Sequence, residues 1–284
     1  MIIYDLREYK KLSQKAYANE KYRLQVELVK LQQDVINNKR KIAVIFEGRD
    51  SAGKTAAIKQ FSENLIPDKI SYVHLGVPTK AESKNWFHRY EKKIPKPGEI
   101  VFFDRSWYSR ALIEPTLGFC SQRQYKNFMN RVNTWEEELM DDKVELVKFY
   151  LSIDKESQQH RLKSRKDSPI KYWKFSDTDS QIVNKFDVFK LYKEQMFERT
   201  STNKAPWVVI NAHNKRLARI SSMHYLINKL EYNKKKVLKP RNLDNESRHY
   251  QFIYEGEVFE NLNYNQYKIP VSYTHLTLPT NREV

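Results

Sequence analysis

The chain of 284 residues carries 51 Lys and Arg against 35 Asp and Glu, a formal charge of +16, with a single cysteine, Cys120. That length suits one sizeable core, the lone cysteine excludes an intrachain disulfide, and the absence of an apolar run able to span a bilayer leads us to expect a reducing, cytoplasmic setting. So large a basic excess calls for an anionic partner: nucleic acid, an anionic surface or a highly charged small polymer.

Met1–Arg7 lacks the charged start and apolar core of a secretory leader. From Tyr9 to Asn38 the chain is charged, with Leu24, Leu28, Leu31 and Val35 on one helical stripe. This predicts an amphipathic helical arm over residues 1–40, packed on the domain that follows. Lys41–Glu47 reads as a buried strand. It runs into Gly48-Arg49-Asp50-Ser51-Ala52-Gly53-Lys54-Thr55 and then a helical stretch from Ala56 to Phe61.

Strand, glycine-bounded loop, Lys-Thr and helix form the phosphate-loop pattern in its proper context. Gly48 and Gly53 let the backbone amides around Ser51 and Ala52 face inward, and the helix start adds its positive dipole end. Lys54 supplies a mobile charge for a phosphoryl group, and the Thr55 hydroxyl suits a Mg²⁺ ligand. Asp50, an acid inside an anion-binding loop, repels phosphate unless a metal lies between them, which makes it a candidate metal ligand.

Ser71–Leu75 reads as a second strand. Thr79 and Glu82 form a capping box for a helix whose Lys80 and Arg89 suit either anion binding or a solvated face. Glu99–Asp104 is a third strand, and its terminal aspartate, about fifty residues beyond the loop with Arg105 adjacent, reads as a second metal-handling carboxylate. Tyr125, Phe128, Met129, Val132, Trp135 and Leu139 repeat at helical spacing and read as core.

Val144–Ile153 and Trp207–Asn211 complete five expected strands. Between them lies a basic stretch in which Arg161 and Arg165, four apart, share a helical face able to clamp phosphates. Phosphoryl transfer demands closure against water, so a lid is expected at about residues 161–181. The fold expected is α/β: a P-loop kinase-like three-layer α/β/α domain over 41–232, with a parallel five-stranded sheet in the order 2-3-1-4-5 and a helical lid insertion. Residues 233–270 read as a basic C-terminal extension, and 271–284 as a non-native or disordered tail. The histidines are scattered without zinc-binding spacing.

Gly48-x-Asp50-x-x-Gly53-Lys54, the run Asp104-Arg105-Ser106-Trp107-Tyr108 with Arg110 and Glu114 following, Gly118-Phe119-Cys120, and Tyr172-Trp173-Lys174-Phe175-Ser176 together resemble the polyphosphate kinase 2 family, in its short single-domain form. The resemblance implies Mg²⁺-dependent transfer, with Mn²⁺ able to substitute, between inorganic polyphosphate and a nucleoside di- or monophosphate, with ADP favoured. It implies that Asp50 and Asp104 handle the metal and the accepting phosphate, and that Lys54, Arg105 and Arg165 bind the transferred group. Arg110 joins the phosphate-binding set, Glu114 the nucleotide-binding set, and Tyr172 and Trp173 either stack on the base or pack the lid. It also implies a homo-oligomer, dimer or tetramer, and no membrane partner. Two other readings use the same residues. An ATP-dependent nucleoside or nucleotide monophosphate kinase shares the loop, the aspartate and the lid. A nucleic-acid-binding P-loop ATPase is motivated by charge alone and lacks any nucleic-acid module.

Overall fold

The computed structural model describes residues 1–4, 12–175, 177–236, 251–254, 257–260 and 267–268. The first half of the chain runs β1 (Ile2–Tyr4), α1 (Gln14–Asn37), β2 (Lys41–Gly48), α2 (Lys54–Ser62), β3 (Ile70–Val73), α3 (Lys80–Lys84), α4 (His88–Glu91) and β4 (Glu99–Asp104). It continues through α5 (Ile113–Leu117), α6 (Gln122–Asp141), β5 (Val144–Ser152), α7 (Lys155–Lys166), α8 (Asp177–Asn184), α9 (Phe186–Thr200), β6 (Trp207–Asn211) and α10 (Lys215–Lys229). A hairpin of β7 (Gln251–Tyr254) and β8 (Glu257–Glu260) follows, then β9 (Tyr267–Lys268).

Strand β2 explains the sheet. Ile42 to Phe46 are wholly buried, as a strand covered on both faces must be, and the continuous apolar run supplies both. Because side chains alternate, Ile42, Val44 and Phe46 enter a core with α1, α2 and α10. Ala43 and Ile45 enter the opposite core with α6 and α9. The two helical stripes read from sequence divide the same way: Leu24, Leu28, Leu31 and Val35 fill the first core, and Tyr125, Phe128, Met129, Val132 and Trp135 the second. The result is three layers, helices on each face of one sheet.

The sheet runs β3-β4-β2-β5-β6-β1, all parallel, with β9 antiparallel on the outer side of β1. This corrects the expected five-stranded sheet. The added parallel strand, β1, pairs Ile2, Ile3 and Tyr4 with Val208, Val209 and Ile210. Three residues are too few to establish an alternation, so the segment reads as part of an arm rather than as a strand. Its place is secured from the side chain as well, because the Tyr4 hydroxyl lies 2.6 Å from His224 Nδ1 on α10.

Part of the 233–270 extension also forms strands, β7 to β9, while the segment 271–284 lies outside the described residues. Among the described residues no helix is long and apolar enough to cross a membrane.

The last residue of β2 has no room for a side chain. Gly48 sits opposite Leu151 of β5, at φ 137°, and a Cβ there meets the Leu151 carbonyl oxygen at 2.4 Å. G48A combines an unfavourable backbone with that clash, so it is expected to destabilise the fold by more than about 1 kcal/mol. A lowered denaturation midpoint checks this; a midpoint equal to wild type would mean that β2 and β5 do not approach so closely.

Candidate active site

The site is assembled where β2, β3 and β4 end together. Past Gly48 the loop turns through Ser51, at φ 66°, and Gly53, at φ 106°, before α2 starts at Lys54. The nine-residue helix therefore presents its free amides and positive end toward the loop. Lys54 is only 6% exposed, and its ammonium arches back to donate to the carbonyls of Gly48 at 2.8 Å and Arg49 at 3.1 Å. Burial, together with repulsion from Arg105, pulls its pKa below the usual lysine value.

Asp104 closes β4 and faces the start of α2. Its carboxylate accepts hydrogen bonds from the Thr55 hydroxyl and, at 2.9 Å, from the Tyr72 hydroxyl of β3. His74 Nδ1 lies 3.1 Å from the Asp104 carbonyl oxygen. Beside this group, Asp50 of the loop is ion-paired with Arg105. Burial pushes the Asp50 carboxyl upward, but the charges of Arg105, Lys54 and Arg165 outweigh it and hold the group below the ordinary aspartate range. Burial and the Asp104 carboxylate push the Tyr72 phenol up to about 12, so it remains a donor at neutral pH.

These groups line an open cleft of about 1800 Å³. Asp50, Lys54, Thr55, Asp104, Arg105 and Arg165 all contribute, as do Lys80, Arg89 and Glu114. A second basic wall, not anticipated from sequence, comes from Lys171, Lys215, Arg216 and Arg219. Burial and the surrounding arginines and Lys171 pull the Lys215 pKa below normal, as expected where like charges converge.

Several expected site residues occupy other positions. Arg161 borders the cleft, but its guanidinium donates to the carbonyls of Ser51, Ala52, Ala212 and His213, so it braces the loop instead of standing ready for phosphate. Arg110 is 1% exposed. It pairs with Glu114 at 2.7 Å, donates to Ser83 and stacks on Trp86, which sets it behind the wall of the cleft. Gly48 and Ala52 shape the loop from beneath, with Ala52 in the core. Tyr172 and Trp173 are 62% and 68% exposed and stand outside the residues that line the cleft. Trp173 donates instead to the Ile170 carbonyl.

Glu47, Tyr72 and His74 were missed. Glu47 carried one legible signal, a carboxylate closing an apolar strand immediately before the loop.

The oxygen donors of Asp50, Asp104 and Thr55 fit Mg²⁺, which takes one or two carboxylates and leaves its remaining positions to water and phosphate oxygens. Among the described residues no cluster of three or more His, Cys, Asp or Glu forms a metal cage.

The family model for polyphosphate kinase 2 matches residues 11–238. An NDP-polyphosphate phosphotransferase of Ruegeria pomeroyi is 39% identical over 224 residues, covering 78% of this chain and 65% of the relative, so the chain spans less than two thirds of that protein. An ADP-polyphosphate phosphotransferase of Pseudomonas aeruginosa is 40% identical over 222 residues, covering 78% of this chain and 73% of the relative. Among solved structures, polyphosphate kinase 2 from Arthrobacter aurescens superposes with a TM-score of 0.69 at 28% identity, over 79% of this chain and 82% of that one.

Glu114 provides a pH test of the cleft wall. Burial raises its carboxyl from 4.5 to about 7, against the opposing charges of Arg110 and Arg89. Between those values the folded protein keeps a proton that the unfolded chain has released, so stability falls as pH rises through the window. E114Q is expected to flatten that fall, read from denaturation midpoints at about pH 5 and about pH 8. Equal slopes in the two proteins would show that Glu114 is already ionised in the fold.

Proposed function

Since the chain belongs to the polyphosphate kinase 2 family, we propose that it transfers phosphoryl groups reversibly between inorganic polyphosphate and a nucleotide, most readily from polyphosphate to ADP or GDP. AMP is a second acceptor. The observation that supports this most directly is the meeting of the phosphate loop and the end of β4, through the Thr55–Asp104 hydrogen bond and the Asp50–Arg105 ion pair, on the floor of a basic cleft.

In the transfer, a bond between the terminal phosphorus and its bridging oxygen breaks, the polyphosphate shortens by one unit, and a new bond forms to a terminal oxygen of the nucleotide. The reaction needs alignment and neutralisation of the equatorial oxygens more than it needs a nucleophile on the protein. The loop amides and α2 hold one phosphate. Lys54 exchanges its two carbonyl partners for phosphate oxygens. Arg105 and Arg165 neutralise the group in flight, and Lys80 and Arg89 hold phosphates on the β3 side of the cleft. Asp50, Asp104 and Thr55 would hold Mg²⁺, or Mn²⁺ in its place, which would supply neutralisation of phosphate charge.

The segment 161–181 closes as a lid to exclude water, bringing Tyr172 and Trp173 toward the base, with Glu114 on the opposite wall. A polyphosphate chain, with one negative charge on each internal unit, matches the basic walls and the +16 charge of the protein. Dimers or tetramers in the cytoplasm complete the proposal.

ATP formation from ADP, long-chain polyphosphate and Mg²⁺ tests it, with AMP in a parallel reaction and polyphosphate omitted as the control. Polyphosphate-dependent ATP is expected; turnover of ATP with a monophosphate alone would move the chain to the ATP-dependent kinases. K54A is expected to lower kcat by about 100-fold or more in a chain that still folds cooperatively, checked by a denaturation curve. R165A is expected to lower kcat with little change in KM, and a change confined to KM would make Arg165 a binding residue only.

A further inference from the structure

Arg105 carries the guanidinium that meets Asp50, yet its backbone lies where side chains are disfavoured. Its φ is 64°, in the left-handed region that is unfavourable for a non-glycine residue. Something adjacent must hold it there. The Arg105 amide donates to the Phe46 carbonyl at 3.0 Å, one step beyond the last paired position, Phe46 opposite Asp104. The next residue is caught by the next residue of β2: the Glu47 carboxylate accepts from the Ser106 amide at 2.7 Å and from the Ser106 hydroxyl at 2.9 Å.

We infer that Glu47 is a positioning residue, whose carboxylate clamps Ser106 and thereby keeps Arg105 in its left-handed conformation with the guanidinium aimed at the floor of the cleft. The carboxylate does not itself line the cleft, and it is 2% exposed, so it acts through the turn and not on a ligand. A backbone carbonyl in its place could accept from the amide but would lie along the strand, whereas a side chain of this length reaches both Ser106 donors at once. The clamp also passes onward. Ser106 Oγ accepts from the Tyr108 amide at 3.2 Å, and the Ser106 carbonyl accepts from the Tyr90 hydroxyl at 2.9 Å. The segment after the turn is thus tied to the same serine, and the segment before it is β4, so Arg105 is held between two anchored ends.

Burying a carboxylate is tolerable here because two cations lie close to it. Burial raises the Glu47 pKa, while Lys54 and Arg105 oppose that rise. The same carboxylate helps to hold the charge on Arg105, together with Asp50. Glu47 is therefore placed between the two cations of the loop and the β4 turn without competing for the anion they face.

The kinetic arm of the test rests on the proposed phosphoryl transfer; the binding and structural arms do not. In a double-mutant cycle, E47A is expected to lower kcat about as far as R105A, and E47A/R105A to fall no more than about threefold below R105A alone, because the first substitution acts through the second residue. Affinity for inorganic tripolyphosphate with Mg²⁺, measured by calorimetry, is expected to show the same non-additivity. E47Q keeps an acceptor for both Ser106 donors and is expected to recover at least about tenfold of the E47A loss. Losses that multiply in the double variant, or E47Q as impaired as E47A, would overturn the inference.

If E47A does not fold, S106A replaces it in the cycle with a smaller effect, since the amide contact remains, and additive losses there would count equally against the inference. If wild type transfers no phosphoryl group, the functional proposal fails on its own. The inference is then decided by tripolyphosphate affinity and by a crystal structure of E47A or S106A. Departure of residue 105 from the left-handed region and loss of the Asp50 contact are expected, and an unchanged turn would refute the clamp.

Discussion

A buried carboxylate at the end of a central strand has to be given donors, and Asp104 receives them from two directions. Thr55 reaches it from the first turn of α2 and Tyr72 from β3, so one side chain ties the phosphate loop, the strand beside it and the outer strand into a single floor. Charge-assisted hydrogen bonds of this kind are stronger than neutral ones and lose more when broken, because the desolvated acceptor is left bare. Asp50 and Arg105 repeat the arrangement a few ångströms away with a full ion pair. The floor of the cleft is therefore set by contacts between segments, and its basic walls stand on it.

The run from Asp104 to Tyr108 divides between two jobs. Asp104 and Arg105 face the cleft, while Trp107 and Tyr108 are wholly buried in the core that also holds α6 and α9. There Lys148 donates to Tyr108, Glu136 and the Thr200 carbonyl, and Trp107 donates to Glu136. Burial pulls the Lys148 pKa down, and Glu136 opposes that shift. A buried ion pair is a poor source of net stability, since desolvation offsets most of its Coulomb energy, but it is intolerant of misplacement. Its effect here is to fix where the turn after Arg105 begins its next segment. The aromatic half of the motif is an anchor for the charged half.

Local pattern carried the phosphate loop, the capping box of α3 and both helical stripes, because each depends on residues within a few positions of one another. What escaped depends on sheet register. Tyr72 meets Asp104 across 32 residues and Glu47 meets Ser106 across 59, and neither contact exists until β2, β3 and β4 lie side by side. Arg110 is a different case. Its partner Glu114 lies four residues on, a spacing at which opposite charges on a helix meet, so the pair was legible as an internal contact. Reading Arg110 as ligand-facing gave weight to charge over spacing, whereas Glu114 does line the cleft. Strand β1 was hidden by brevity, because three apolar residues fit an arm and a strand equally well.

Arg49 and Arg161 show why the loop keeps its shape within so strongly basic a protein. Arg161 reaches from α7 to the carbonyls of Ser51 and Ala52. Arg49 reaches outward from the loop to the start of α9, where it stacks 3.5 Å from the Phe186 ring centroid and donates to the Phe186 carbonyl at 3.1 Å. Both arginines point toward carbonyl groups and an aromatic face, so they neutralise backbone dipoles, and within the loop the Ala52 amide donates to the Arg49 carbonyl at 3.1 Å. They also grip the two ends of the intervening segment, α7 before it and α9 after it.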